Sequence, residues 1–367
     1  MTSPVVAGGS RLTAARRVVV KIGSALLVEG STGRVNRAWL ETLAEDVASL
    51  RKRGQEVVLV SSGAIALGRR QLGLPAGKLE LEQSQAAAAV GQIRLAHAWK
   101  EVLEPHGGAV AQMLLTLGDT EQRRRYLNAR NTFSTLLAEK VVPIVNENDT
   151  VAIDEIKIGD NDTLAALTAS LIGADALFIL KDVDGFFMDN EEGVSYLVSE
   201  IKEITREVEA AAGHPSTQLG TGGMITKIQA AKICADTGIY TIILSSRKPG
   251  LIKKYLSGEK LGTTFLPKAS KLESRKRWLA YGLKQEGTLM IDPGAESALI
   301  KAGKSLLPVG IKEIKGKFCS GALVGIADET GKEVARGLVN YSNEELAGMI
   351  GKKGVPEAVH RDNLVIL

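Results

Sequence analysis

The sequence predicts a three-layer α/β/α sandwich with a mainly parallel sheet, followed by a small C-terminal β-barrel-like domain. Apolar strand-like segments alternate with helix-like segments from residue 17 to residue 244, which is typical of a parallel sheet covered on both faces. Hydrophobic residues make up 44% of the 367-residue chain and aromatic residues only 4%, which favours an aliphatic core of buried strands. After about residue 265, short apolar runs recur between Gly-rich turns, as in small antiparallel β folds.

The elements of the first domain follow from apolar runs and from the residues that end them. Gly54 is a good C-cap for the helix before it, and Pro105 ends the next one. Strands are predicted at residues 17–23, 56–63, 108–116, 141–148, the end of 159–180, and 240–244. Helices are predicted at residues 36–53, 84–105, 119–139, the start of 159–180, and 222–237.

The change of pattern after residue 265 gives the domain boundaries. In the second domain, the run ADETGKE predicts a hairpin with its turn near Thr330-Gly331. We expect a mobile tail at residues 1–15, a first domain at 16–265, a linker at 266–277 and a second domain at 278–367.

Composition excludes several classes of protein. Cys234 and Cys319 are 85 residues apart and match neither a disulfide framework nor a metal-binding spacing, so we expect free thiols in a reducing cytoplasm. No apolar run approaches the ~18 residues of a membrane span. The net charge is +4, and residues 268–367 carry 16 Lys/Arg against 12 Asp/Glu, so the whole excess lies in the second domain. An excess of four charges favours a solvated surface over a nucleic-acid-binding one.

Motifs of other nucleotide-binding and hydrolytic enzymes do not occur. The chain has no GxxxxGK[ST], GxGxxG, GxSxG, HExxH or CxxC. Its four histidines, at positions 97, 106, 214 and 360, lie in no motif. Hydrolase, zinc-enzyme and dehydrogenase functions are therefore disfavoured.

Polar clusters follow the predicted strand ends, where ligands of parallel sheets bind. In Lys21-Ile22-Gly23-Ser24 a lysine ends a buried strand beside a glycine, a combination suited to phosphate, although such a lysine could also simply reach solvent. Ser61-Ser62-Gly63-Ala64 opens a helix whose free N–H groups suit an anion, although an ordinary turn would look the same.

Two further clusters lie later in the chain. Asn146-Glu147-Asn148-Asp149 and Gly159-Asp160-Asn161-Asp162 form the densest group of carboxylates and amides. Asp162 could simply cap a helix starting at Thr163, but capping explains only one carboxylate. Gly220-Thr221-Gly222-Gly223-Met224, followed by Lys227, could be a loop over phosphates or a mobile linker.

Taken in order, these motifs resemble those of the glutamate 5-kinases of the amino-acid kinase superfamily. The run from Tyr126 to Thr132 (YLNARNT) belongs to the same set. The second domain resembles the PUA domain fused to these kinases in many bacteria, through Arg275-Lys276-Arg277-Trp278, Ser305-Leu306-Leu307-Pro308, Arg336 to Tyr341 and His360-Arg361-Asp362. The resemblance covers nearly all of residues 16–367.

The resemblance implies residue roles that spacing does not reveal. Lys21 and Lys227 correspond to lysines that contact the ATP phosphates and the migrating phosphoryl group, and Asp162 to the carboxylate that orients them. Ser62, Asp149 and Asn161 correspond to glutamate-binding positions, with Asp160 close by. The implied ATP-binding residues are Lys21, Gly23, Lys181, Asp182, Thr221, Gly222, Gly223, Met224, Ile225, Thr226 and Lys227.

The resemblance also implies an activity. It is the ATP- and Mg²⁺-dependent phosphorylation of the γ-carboxylate of L-glutamate to L-glutamyl 5-phosphate, the first step of proline biosynthesis, with proline as feedback inhibitor. A homodimer or homotetramer and a transient partnership with glutamyl-phosphate reductase are implied as well. The alternative from another class is an RNA-binding protein acting through the PUA domain.

Overall fold

The chain is represented by a computed structural model. It describes residues 12, 14–29, 32–75, 77, 79–151, 160–190, 192–213, 223–247, 250–268, 285–352 and 354–367. The chain divides into two compact units, Met1–Ala269 and Ser270–Leu367. Most of the linker predicted at residues 266–277 lies outside the described residues, so those boundaries stay a prediction.

The N-terminal unit is built on an eight-stranded sheet whose strand order is β3-β4-β2-β1-β5-β9-β10-β8. Its strands are β1 Arg17–Ile22, β2 Glu56–Ser61, β3 Val110–Leu115, β4 Val142–Glu147, β5 Ala176–Lys181, β8 Glu200–Ile201, β9 Tyr240–Ser245 and β10 Thr263–Phe265. All neighbours pair in parallel except β9 and β10, so the predicted mainly parallel sheet is confirmed. Strands β6 Phe186–Asp189 and β7 Ser195–Val198 form a separate hairpin.

Helices cover both faces of this sheet. They are α1 Ser24–Leu27, α2 Arg37–Lys52, α3 Ala64–Gln71, α4 Leu81–Leu103, α5 Leu117–Glu121, α6 Arg123–Ala138, α7 Asn161–Ile172, α8 Arg206–Ala212, α9 Met224–Asp236 and α10 Leu251–Leu256. Alternate residues of β1 enter opposite cores, as the pleat of a strand requires. Val18 and Val20 pack with α2, α4 and α10, whereas Val19 packs with α6, α7 and α9. Three layers result, as predicted.

One predicted helix is wrong in its extent. The segment 119–139 was expected to be a single helix, but it is divided between α5 and α6 at Gln122, whose φ of −77° and ψ of 115° are extended. The residue at the break is glutamine rather than proline or glycine, so no sequence signal marks the break. The side chains of Thr116 and Asp119 form a capping box at the start of α5.

The C-terminal unit has its own sheet, in the order β12-β11-β13-β14-β15. Its strands are β11 Gly287–Ile291, β12 Ile311–Gly316, β13 Leu323–Ala327, β14 Glu333–Val339 and β15 Val359–Ile366, and its helices are α11 Pro293–Ile300 and α12 Asn343–Ala347. The predicted hairpin joins β13 to β14, with Gly331 at a φ of +85° in its turn. The prediction of an antiparallel fold is wrong for one pair, because β11 and β13 are parallel.

Helices α3 and α4 cross without a side chain between them. A Cβ atom at Gly68 would collide with the carbonyl oxygen of Ala87, and one at Gly91 would collide with that of Ala64. The two backbones are therefore in direct contact, and α3 is fixed against α4. The start of α3 matters for function because it follows the end of β2. None of the described helices has both the length and the apolar character needed to cross a bilayer.

A buried carboxyl group in α2 gives a testable pH dependence. Asp46 is 7% exposed and accepts hydrogen bonds from the backbone N–H groups of Ile252 and Lys253. Burial raises its pKa to about 6 despite these hydrogen bonds. Since the folded-state pKa lies above the unfolded value, the folded protein binds the extra proton, and stability falls as pH rises from about 4 to 6. The shift corresponds to about 3 kcal/mol at neutral pH.

We therefore expect the Asp46→Asn variant to gain thermal stability relative to the parent as pH rises from 4 to 7.5. Asparagine keeps a carbonyl oxygen for the backbone N–H groups but carries no charge to bury. Thermal unfolding midpoints of both proteins across this range measure the effect, with the exposed substitution Glu82→Gln in α4 as control. A difference between Asp46→Asn and the parent that does not change with pH would contradict the expectation.

Candidate active site

A cavity of about 410 Å³ lies at the carboxyl ends of β1, β2, β4 and β5. It is where a ligand of a parallel sheet is expected, because loops at these strand ends converge there. Its polar and charged lining residues are Lys21, Ser24, Ser62, Arg69, Asn146, Glu147, Asp149, Asp160, Asn161, Asp162, Lys181, Asp182 and Lys227. The structure thus brings together residues up to 206 positions apart in the chain.

Two lysines share one carboxylate at the centre of this cavity. Lys21 Nζ lies 2.6 Å from Asp162 Oδ1, and Lys227 Nζ lies 2.8 Å from Asp162 Oδ2. The Thr226 hydroxyl lies 2.8 Å from Asp162 Oδ2, and Lys227 Nζ also lies 3.3 Å from the Gly223 carbonyl oxygen. The last residues of β1 and the first turns of α7 and α9 hold this arrangement. We refer to Lys21, Asp162 and Lys227 as the charged triad.

The triad is buried, and its electrostatics follow from that. Lys21, Asp162 and Lys227 are 8%, 1% and 1% exposed. Burial alone would raise the pKa of Asp162, but the positive charges of Lys21 and Lys227 outweigh it and lower this pKa to about 2. Burial lowers the pKa of Lys227, Asp162 counteracts this, and the nearby charge of Lys181 lowers it further. The triad carries one net positive charge when all three groups are ionised, and is suited to bind an anion.

Ser62, Asn146 and Asn161 form a second group of side chains, which are joined by hydrogen bonds. Asn161 Nδ2 donates to Ser62 Oγ at 2.6 Å and to Asn146 Oδ1 at 3.2 Å, which uses both of its N–H bonds. Asn161 Oδ1 is therefore directed away from these partners as an acceptor. Since Ser62 Oγ accepts from Asn161, its own O–H is available to donate. A donor for a carboxylate and an acceptor for an ammonium group thus lie side by side.

The side chain of Asp160 caps the N-terminus of α7. Its Oδ1 accepts from the backbone N–H groups of Asp162 and Thr163 at 2.9 and 2.8 Å, and its Oδ2 accepts from the Thr163 hydroxyl at 2.8 Å. The helix cap considered for Asp162 is therefore supplied by Asp160, and α7 begins at Asn161. This leaves Asp162 free to face the two lysines.

The residues expected to bind ATP divide into three sets. The first set lines the cavity and consists of Lys21, Gly23, Lys181, Asp182 and Lys227. The second set, Gly223, Met224, Ile225 and Thr226, is described by the structure but does not line it, although Thr226 holds Asp162. Thr221 and Gly222 lie outside the described residues.

Lys181 is fixed through its main chain. The backbone N–H and the hydroxyl of Ser246 donate to the Lys181 carbonyl oxygen at 2.6 and 2.7 Å. The Ser246 carbonyl in turn accepts from Trp39 Nε1 at 3.0 Å. The end of β5 is therefore tied to the segment that follows β9.

Within the part of the chain that the structure describes, no group of three or more His, Cys, Asp or Glu side chains could hold a metal ion. Asp162 already faces two ammonium groups and a hydroxyl, so its oxygens are engaged.

Sequence reasoning assigned no role to four polar residues that line the cavity, namely Ser24, Arg69, Asn146 and Glu147. Arg69 in α3 lines it but looks like half of an exposed Arg-Arg pair in the sequence. Asn146 stood in a recognised motif without an assigned role, and the structure shows that its Oδ1 orients the Asn161 amide. The position of Asn146 as the fifth residue of β4, near the strand end, is a signal that could have identified it.

Comparisons with known proteins agree with this architecture. The amino acid kinase family matches residues 16–245, and the PUA domain matches residues 287–357. The glutamate 5-kinase of Paramagnetospirillum magneticum is 48% identical over 370 residues, covering 97% of this chain and 99% of that protein. The glutamate 5-kinase of Geobacter sulfurreducens is 45% identical, with coverage of 97% and 99%.

Solved structures share the fold of the N-terminal unit. A carbamate kinase from Giardia is 21% identical with a TM-score of 0.51, and covers 69% of this chain and 99% of its own. Carbamate kinase from Giardia lamblia bound to AMP-PNP is 22% identical with a TM-score of 0.50 and the same coverage. Such distant identities establish the fold alone.

Proposed function

The chain belongs to the amino acid kinase family, and within it to the glutamate 5-kinases, and we propose that it transfers the γ-phosphoryl group of ATP to the γ-carboxylate of L-glutamate. The product would be L-glutamyl 5-phosphate, in the first step of proline biosynthesis. The observation that carries the proposal is the buried charged triad beside the Ser62–Asn161 pair. The triad suits phosphates, and the pair suits an amino acid.

The polar groups assign an orientation to glutamate. The Ser62 hydroxyl is available to a carboxylate, whereas Asn161 Oδ1 and the carboxylate of Asp149 are suited to the ammonium group. With the amino acid end held there, the γ-carboxylate extends towards Lys21 and Lys227. Asp160 lines the cavity as well, but its carboxylate caps α7, so we propose that it acts through Asn161 and Asp162.

The reaction needs no general base. A γ-carboxylate has a pKa near 4.3 and is ionised at neutral pH. One of its oxygens attacks the γ-phosphorus, the new O–P bond forms, and the bond from that phosphorus to the bridging oxygen breaks as ADP leaves. A cavity without a lining histidine among the described residues is compatible with this chemistry.

Phosphoryl transfer depends mainly on positioning and on stabilisation of spreading negative charge. We propose that Lys21 and Lys227 contact the phosphates and the migrating group, and that Asp162 fixes both ammonium groups. Lys181, Asp182, Gly23 and the segment from Thr221 to Thr226 are proposed to hold the nucleotide. The lysines are buried, so their charges act in a medium of low dielectric constant.

ATP brings Mg²⁺ with it in this proposal. Mg²⁺ commonly keeps several water ligands and binds through substrate phosphates and one or two carboxylates. The absence of a three-ligand group among the described residues fits a metal ion that enters with the nucleotide. It would neutralise phosphate charge alongside the lysines.

We propose four further properties for this chain because it is related to the glutamate 5-kinases. They are a cytoplasmic location, a homodimer or homotetramer, inhibition by proline and a transient partnership with glutamyl-phosphate reductase. The RNA-binding alternative is not favoured, because full-length relatives are kinases.

A substrate panel tests the proposal. The purified protein is incubated with ATP-Mg²⁺, hydroxylamine and one of L-glutamate, N-acetyl-L-glutamate, L-aspartate, carbamate or UMP. Among the acceptors whose products would be acyl phosphates, we expect hydroxamate only with L-glutamate. For the other acceptors, the release of ADP is measured instead. Activity with N-acetylglutamate or aspartate, and none with glutamate, would contradict the proposed substrate.

A further inference from the structure

The cavity contains one cationic side chain that the proposed reaction does not use. The cationic residues lining it are Lys21, Arg69, Lys181 and Lys227. Lys21 and Lys227 form the charged triad, and Lys181 is close enough to Lys227 to lower its pKa. All three therefore belong to the end of the cavity assigned to phosphates. Arg69 stands apart, because it lies in α3 and takes part in no ion pair that the structure describes.

Glutamate needs such a cation. Its γ-carboxylate points to the triad and its ammonium group to Asp149 and Asn161, which leaves the α-carboxylate. The group so far assigned to that carboxylate is the neutral hydroxyl of Ser62. A carboxylate is bound more strongly by a charged donor, and the fork of an arginine matches its two oxygens.

The position of Arg69 on α3 allows this contact. Arg69 is the sixth residue of the helix that begins at Ala64, so its Cα lies about 7 Å along the axis from the first residue. Helical side chains lean towards the N-terminus, and a long arginine side chain can span that distance. Arg69 does line the same cavity as Ser62 and Gly63.

The guanidinium is held in place but is not saturated. Arg69 Nη2 donates to the Gly77 carbonyl at 2.6 Å. Arg69 Nε is buried, and it has no hydrogen-bond partner among the described residues. An arginine carries five N–H bonds, so donors remain for a ligand. The direct contact of α3 with α4 at Gly68, the preceding residue, prevents the helix from rotating to move Arg69 away.

Resting on the proposed function, we propose that Arg69 binds the α-carboxylate of glutamate and so selects α-amino dicarboxylic acids over analogues without a second negative charge. In this account Arg69 contributes to binding and orientation of the amino acid and makes no contact with ATP. Its loss should raise the KM for glutamate and leave the KM for ATP unchanged.

The test compares two substrates and three variants. L-Isoglutamine keeps the γ-carboxylate and the ammonium group of glutamate but carries an amide in place of the α-carboxylate. We expect Arg69→Gln to lower kcat/KM for L-glutamate by about 100-fold, because a charged hydrogen-bonded pair is lost, and to change kcat/KM for L-isoglutamine less than about threefold. Arg69→Lys should restore part of the loss. The exposed neighbour Arg70→Gln is the matched control and should behave as the parent.

The outcomes separate the possible failures. An equal loss with both substrates, or a loss of thermal stability in Arg69→Gln that explains the loss of activity, would show that Arg69 only tethers the segment around Gly77 and would overturn the inference. If the turnover of isoglutamine is too slow to follow, its inhibition constant is measured in competition with glutamate for the parent and for Arg69→Gln. This constant should then differ between the two proteins by less than about threefold. A parent protein inactive with glutamate would instead contradict the proposed function.

Discussion

Replacing Lys227 by methionine is expected to lower kcat by about 1,000-fold, since loss of a single well-placed charge at a transferring group commonly costs two to five orders of magnitude. Lys227 is 1% exposed, and its ammonium group lies 2.8 Å from Asp162. Methionine fills a similar volume without the charge, so the effect on packing should be small. Steady-state kinetics with glutamate and ATP-Mg²⁺ measure the change.

The control lies on the same helix. Lys232 is also in α9, but its side chain is 42% exposed and forms a surface ion pair with Glu209. Lys232→Met should therefore stay within about twofold of the parent, as surface pairs contribute little. A Lys227→Met variant that keeps more than a tenth of the parent kcat would show that Lys227 does not contact the migrating group.

Replacing Asp162 by asparagine should be almost as damaging, for a different reason. The substitution keeps the shape of the side chain but leaves Lys21 and Lys227 buried without their shared counter-charge. Removing one partner of a buried ion pair commonly costs about 3–5 kcal/mol of stability. We expect kcat to fall by about 100-fold or more, because neither ammonium group is then held in place.

The pH dependence of this variant separates loss of charge from loss of fold. Asp162 raises the pKa of Lys227 against the effect of burial, so in Asp162→Asn that pKa should fall further. Lys227 would then lose its proton at a lower pH than in the parent, and the remaining activity of the variant should fall at a correspondingly lower pH. Asp236→Asn, an exposed substitution on α9, is the control. A flat pH profile with normal kcat would contradict the role of Asp162.

Much of the site could be predicted because the sheet is parallel. Lys21, Ser62 and Lys181 each stand at or just beyond the end of an apolar strand, and such ends meet at one edge of the sheet. The sequence could not reveal that Lys21 and Lys227 share a single carboxylate, because Asp162 is 141 positions from one and 65 from the other. That contact depends on how α7 and α9 pack on the sheet.

Three other features could not be predicted from the sequence, each for a physical reason. Arg69 follows Gly68 in a helix and precedes another arginine, which is typical of a solvated helix face, and only the folded structure shows that it lines the cavity. Asp46 lies within the helix predicted at residues 36–53, and its contact with the backbone of Ile252 and Lys253 depends on the packing of α10. The break at Gln122 needs neither proline nor glycine, since an extended residue between α5 and α6 is compatible with most side chains.

We propose that a γ-carboxylate oxygen of glutamate attacks the γ-phosphorus of ATP directly. It can be tested with L-glutamate labelled with ¹⁸O in both γ-carboxylate oxygens, incubated with ATP-Mg²⁺ and hydroxylamine. Hydroxylamine cleaves the acyl phosphate at carbon, so the released phosphate keeps the oxygen that joined carbon to phosphorus. Direct attack predicts one ¹⁸O atom in each phosphate, in an amount equal to the hydroxamate. Phosphate without ¹⁸O would mean that water attacks ATP instead, and would contradict direct attack by glutamate.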